Sequence, residues 1–103
     1  MIIFISSPYS GDIEKNVEAA RRYCRFVVDN GQVPIAPHLL FPQFMNEETE
    51  RSLAFKMGLR LLDLCDELWA FVGNQPDWFI SPGMAAEIEY AEDNLIPVSY
   101  IKI

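Results

Sequence analysis

Apolar and polar positions divide the chain into four short apolar runs separated by three stretches of helical periodicity. Ile2-Ile3-Phe4-Ile5 is β-branched and aromatic throughout, as in a buried strand. From about Asp12 to Asp29, Ile13, Val17, Ala20, Cys24, Val27 and Val28 recur at helical spacing, and Asn30-Gly31 stops that helix. Gln32-Val33-Pro34-Ile35-Ala36 predicts a second strand, at a sheet edge because Pro34 has no N–H for a ladder. Residues 37–46 predict a loop containing His38. Asn46 then caps a second helix, with Glu47 and Glu48 in its positive first turn. That helix is expected to carry Leu53, Met57, Leu61 and Leu64 on its apolar face and to end near Cys65. The run 67–73, with Leu68-Trp69-Ala70-Phe71-Val72, predicts a central strand. A loop from Asn74 to Ile80 leads to a third helix, and Pro97 to Ile101 closes the sheet.

The order β-α-β-α-β-α-β predicts an α/β domain: a mainly parallel four-stranded sheet, right-handed crossovers and helices on both faces. Ligands of such sheets bind beyond the carboxyl ends of the strands, where strand order reverses. The loops at 6–12 and 73–81 should flank that crevice, bringing Ser7, Tyr9, Ser81 and Glu87 together.

The 103 residues predict a single domain, and an apolar fraction of 50% suffices for a core. Surplus apolar surface at Trp69, Trp78, Phe41 and Phe44 predicts a homo-oligomer, a dimer or larger. A net charge of −7 argues against nucleic-acid polymers and anionic membranes as partners. It leaves room for a small anion, which local N–H groups can hold. Cys24 and Cys65, with no CxxC, read as reduced, buried thiols of a cytoplasmic protein, and one His with no Cys cluster removes any recognisable zinc site. The N-terminal run lacks the charged start of a signal peptide, and no run reaches the ~20 apolar residues that span a bilayer.

Candidate chemistry concentrates in Ile80 to Ala91. Ser81 is a favoured N-cap and Pro82 a favoured first helical residue. Gly83 leaves N–H groups uncovered at the positive helix end, which suits an anion. Met84, Ile88, Ala91 and Leu95 share one apolar stripe. Glu87 falls roughly 75° from its middle and Glu89 roughly 125°, at ~100° per residue. Glu87 is thus a carboxylate at the margin of apolar surface, expected to be partly buried with its pKa raised by desolvation and offset by the helix N-terminus. A well-capped surface helix with an incidental Glu is the plain alternative.

The first loop, Ser6-Ser7-Pro8-Tyr9-Ser10-Gly11-Asp12, has no GxGxxG and no GxxxxGK[ST], so neither a Rossmann nor a P-loop assignment follows. Its hydroxyls could hold phosphate or sugar oxygens and Tyr9 could border a ring, or it is an ordinary βα turn. His38 could line a pocket mouth or donate a proton, or be structural. Asp66 could point toward the crevice or serve as a cap beside the central strand, with Asp63 and Glu67 its neighbours. Asn16 and Arg51 read as helix-surface residues without chemistry.

Together these residues resemble the nucleoside 2-deoxyribosyltransferase superfamily, most closely its small bacterial and phage branch. The likeness runs through Ile5 to Asp12 with Asn16, Gly31 with Pro34 to His38, Cys65 to Trp69, and Ile80 to Met84 with Glu87 and Ala91. The last block is the most specific, because Ser/Asp-x-Gly-x-x-x-Glu carries that superfamily's nucleophile. The resemblance implies a flavodoxin-like three-layer sandwich that cleaves or transfers the N-glycosidic bond of a 2′-deoxynucleoside or its 5′-monophosphate. Glu87 would be the catalytic nucleophile, forming a covalent deoxyribosyl intermediate that a second base or water resolves. Ser7, Pro8, Tyr9, His38, Asp66, Ser81, Gly83 and Met84 would contact substrate, with no metal or organic cofactor. Ser at 81, where nucleoside-specific members carry Asp, tolerates a phosphate dianion. The alternative is a non-catalytic nucleotide-binding or sensing module that keeps the pocket.

Overall fold

The computed structural model describes residues 1–73 and 79–103. Strands β1 (Ile2–Ser6), β2 (Val33–Ile35), β3 (Glu67–Phe71) and β4 (Val98–Ile101) form one parallel sheet in the order β2-β1-β3-β4. The chain goes from β1 out to β2, then crosses back to β3, so strand order reverses between β1 and β3. This is the expected flavodoxin-like arrangement. Helices α1 (Ile13–Asp29), α2 (Pro37–Leu40), α3 (Arg51–Leu62) and α4 (Pro82–Asp93) connect the strands. Pro34 lies on the edge strand, where its missing N–H leaves no broken ladder.

The two central strands build both core layers by simple alternation. Phe4, Leu68 and Ala70 face one way and pack with Leu62, Met84, Ile88 and Ala91. Ile3, Ile5 and Phe71 face the other way and pack with Tyr23 and Val27 of α1. Helices therefore cover both faces. Asp12 caps α1 by accepting from Lys15 N–H, and Gly31 ends it at φ 75°, a conformation that costs glycine little.

Several sequence expectations are corrected. Residues 37–43 are not a plain loop, since Pro37 and Pro42, with their preset φ, start α2 and a following 3₁₀ turn at Phe41–Gln43. Asn46 Oδ1 accepts from Glu48 and Thr49 N–H, capping an isolated turn, and α3 begins only at Arg51. The buried face of α3 carries Gly58 and Leu62, while Leu53 and Met57 face outward, and Leu64, beyond the helix end at Leu62, is exposed. Leu95 is not on the α4 stripe: the helix ends at Asp93, and Leu95 takes φ 59° with 90% of its surface exposed. Phe41 is buried, Phe44 is exposed and Trp69 is half-buried, its Nε1 donating to Glu67. Cys65 is buried and Cys24 half-buried, and both are free thiols. Trp78 and most of the loop expected at 74–80 lie outside the described residues.

Candidate functional site

A cavity of about 520 Å³ opens at the carboxyl ends of β1 and β3. The loop after β1 supplies one wall and the amino end of α4 another, and residues of α2 and α3 complete it. Residues 7–11 of the first loop line it, as do Phe79 and Ser81 at the described end of the second, and Glu87 is among its lining residues.

Glu87 lies on the inner face of α4, in its second turn, and only 7% of it is exposed. Its Oε1 accepts a 2.7 Å hydrogen bond from Ser6 Oγ at the end of β1. Ser6 is fully buried and sits beside Ala70 of β3, so the central sheet holds the hydroxyl in place. Among the described residues the only buried side-chain polar atom left unpaired is Ser7 Oγ. Among the described residues no hydrogen bond reaches Glu87 Oε2, and the residue lines the cavity. Burial pushes the carboxyl up to about 7, and the Ser6 hydrogen bond pulls partly against it. The expected rise by desolvation is found, and the Ser6 hydroxyl, which the sequence reading did not include, is the group that opposes it.

The first loop is held from two sides. Asn16 Nδ2 donates to Tyr9 O and Ser10 O, both at 3.0 Å, so this residue of α1 fixes the loop rather than facing solvent idly. His38 Nε2 lies 3.0 Å from Ser7 O, and since a carbonyl only accepts, Nε2 carries the hydrogen. The His38 ring stacks on Tyr9 with centroids 4.8 Å apart. Burial lowers the His38 pKa, against the Ser7 carbonyl and the nearby Glu47 charge. The Tyr9 phenol is pushed up to about 12, first by burial and then by its hydrogen bond to Glu47. Ser7, Pro8, Tyr9 and His38 all line the cavity, and the Ser7 hydroxyl is buried without a partner.

At the start of α4, Ser81 Oγ accepts from Met84 N–H at 3.2 Å, so its own hydrogen remains free to donate. Pro82 has no N–H, and Gly83, by position, has an N–H without an intrahelical acceptor. A Cβ built on Gly83 would meet open space, so glycine here leaves its amide uncovered rather than avoiding a clash. Ser81, Gly83 and the buried Met84 line the cavity with Glu87.

Asp66 does not belong to this group. It precedes β3, and its Oδ2 accepts from Ile2 N–H at 2.6 Å, at the amino ends of the strands rather than the carboxyl ends. The sequence reading also missed Ser6, Arg51 and Glu47. Arg51, Ala54, Phe55 and Gly58 all line the cavity, and their i, i+3, i+4, i+7 spacing is the signal that could have found that face. Ser6 gave no such signal, since a serine ending a strand reads as a turn residue.

Among the described residues no group of three or more His, Cys, Asp or Glu could hold a metal ion, and no helix is long and apolar enough to cross a membrane. Fold and cavity together define an α/β protein with a buried carboxyl at the strand-switch cleft. The structure is similar to that of a 2-deoxyribosyltransferase from the psychrotolerant bacterium Bacillus psychrosaccharolyticus, described as suited to the synthesis of antiviral and antitumoral nucleosides. The match has a TM-score of 0.68 at 22% identity and covers 99% of this chain and 72% of that one, a likeness of fold. The chain belongs to the DUF7768 family, a domain of unknown function, whose model matches residues 1–101. No curated protein matches it.

Proposed function

We propose that this protein cleaves or transfers the N-glycosidic bond of a 2′-deoxynucleoside or its 5′-monophosphate, with Glu87 as nucleophile. The observation that carries this reading is a buried carboxyl that lines the cavity with one oxygen anchored by Ser6, in a fold similar to that of a 2-deoxyribosyltransferase. In its ionised form Glu87 Oε2 attacks C1′ of the sugar. A C–O ester bond forms as the C–N bond breaks, and the bonding pair leaves with the base, which takes a proton from water. A second base or a water molecule then attacks C1′, breaks the ester and restores the carboxylate. Two displacements retain the configuration at C1′ and divide one hard step into two easier ones. A deoxysugar, lacking an electron-withdrawing 2′-hydroxyl, reaches the oxocarbenium-like transition state more readily.

The roles follow the cavity wall. Ser7 supplies an unpartnered hydroxyl, Tyr9 stacked on His38 supplies a flat face for a ring, and Ser81 with Gly83 N–H supplies donors for sugar or phosphate oxygens. The exposed apolar side chains of Leu53 and Met57 on α3 and of Leu64 just beyond it support a homo-oligomer.

Incubation with the four common 2′-deoxynucleosides and their 5′-monophosphates, with chromatography of free base, tests the reading. Wild-type protein should release base from at least one, Glu87→Ala should release none, and intact-mass measurement should trap a deoxyribosyl adduct. Absence of base from all eight overturns the catalytic reading. Binding without turnover, unaltered by Glu87→Gln, would favour a sensing module.

A further inference from the structure

The cavity-facing side of α3 is apolar or bare except at its first residue. Ala54, Phe55 and Gly58 bring no charge, and Arg51 brings a full one. Its Nη2 donates to Ser10 Oγ, another cavity-lining group. Among the described residues the ion pairs are Arg25–Asp29 and Arg60–Asp63, and Arg51 joins neither. A guanidinium has five N–H donors, and a neutral hydroxyl uses one of them while offsetting none of the charge. In a chain with 15 acidic and 8 basic side chains, this is not the overflow of a basic surface. Among the described residues Arg51 is the only Lys or Arg that lines the cavity, and desolvation keeps His38 toward its neutral form. The same cavity holds the buried, unpartnered Ser7 hydroxyl, a second polar group without a protein partner.

We propose that Arg51 is the specificity-determining residue of this pocket: with Ser10 it receives a phosphate monoester carried by the ligand's sugar. This assignment rests on the deoxyribosyl reading above. Glu47 is its counterweight. The Glu47 carboxylate accepts from Tyr9 on the same wall, and it acts on the phenol with a sign opposite to that of Arg51. It lies outside ion-pair reach of Arg51 among the described contacts, so it repels an arriving dianion without neutralising the guanidinium. The two side chains therefore affect phosphate affinity in opposite directions. A general loss of fold could not produce that pattern.

Calorimetric binding of the same nucleosides and monophosphates, in a Glu87→Gln background that prevents turnover, tests the assignment. The monophosphate of the preferred base should bind more tightly than its nucleoside. Adding Arg51→Gln should weaken the monophosphate by roughly ten- to a hundredfold, the range for one charge-assisted hydrogen-bonding partner, and leave the nucleoside nearly unchanged. Adding Glu47→Gln, which keeps an acceptor for Tyr9, should tighten the monophosphate. Equal binding of the two ligands, or a phosphate preference that survives Arg51→Gln because the group sits at the start of α4, overturns the assignment. Base release by wild-type protein without any phosphate preference overturns this inference and leaves the proposed function standing. An Arg51-dependent preference without base release does the reverse, and failure of both ligands to bind together with no base release by the wild type overturns both.

Discussion

Ser6 Oγ donates to Glu87 Oε1 at 2.7 Å inside the protein, and in the proposed reaction this bond leaves Oε2 as the attacking oxygen. It also opposes the burial that raises the Glu87 pKa. Ser6→Ala should therefore push that pKa above its value of about 7. A hydrogen bond to a charged group contributes on the order of 1.5–3 kcal/mol, so a shift of about one pH unit or more is expected. The check is the pH profile of kcat/KM, whose rising limb should pass near neutrality in the wild type and move upward in the variant.

Glu87 also makes stability depend on pH. Its folded pKa lies above the ordinary 4.5, so the folded state holds the proton more tightly. The contribution is complete below pH 4.5 and is lost as pH rises through about 7. Glu87→Gln should remove this slope and gain up to roughly 3 kcal/mol over the wild type at pH 8 relative to pH 4. Denaturant midpoints across that range would measure it.

His38 has the opposite sign. Its pKa is lowered from 6.5 by burial, so its contribution is present above that value and lost as pH falls through the folded pKa. His38→Gln, which keeps a donor for Ser7 O, should flatten the acid limb of the stability curve. If the Tyr9–His38 stack receives a ring of the ligand, the same variant should raise KM more than it lowers kcat.

Asp66→Ala separates scaffold from site. It leaves Ile2 N–H without its acceptor at the far ends of the strands and should cost about 1 kcal/mol in a melting experiment. Ligand affinity should not change.

The exposed apolar side chains on and just beyond α3 give a test of assembly. Met57→Glu should shift sedimentation toward a smaller species if Leu53, Met57 and Leu64 meet a second copy, at no cost to the core they do not enter.

Most of the architecture was legible because β1, β3 and the Ser81 cap each carry a local signal that tertiary packing reinforces. Pro34 revealed its edge position for the same reason: a missing N–H has few places to go. The face of α3 was misread because that helix is apolar on two sides. Leu53, Met57 and Leu61 form a plausible stripe, yet a residue as small as Gly58 marks the side that approaches Pro37. Glu87 was found from its angle to Met84 and Ile88, and the cavity side of Ser7, Tyr9 and Ser81 from the rule for parallel sheets. Ser6 and Arg51 stayed hidden because each acts through a partner distant in sequence, Glu87 and Ser10, and Asn16 because it reaches back to the carbonyls of a loop whose path the sequence does not show. Asp66 was misplaced for a related reason, since its acceptor role becomes apparent only once β1 lies beside β3.

The central position of β1 has a consequence for biosynthesis. As the chain emerges from the ribosome, its opening strand must wait for β3 before either apolar layer can close, and Ser6 waits longer still, since Glu87 follows it by 81 residues. A polypeptide halted before α4 would expose Phe4, Ile5 and Leu68 to chaperones and would lack the carboxyl to which the proposed reaction is assigned. Joining Ser6 to Glu87 thus waits until α4 has been translated.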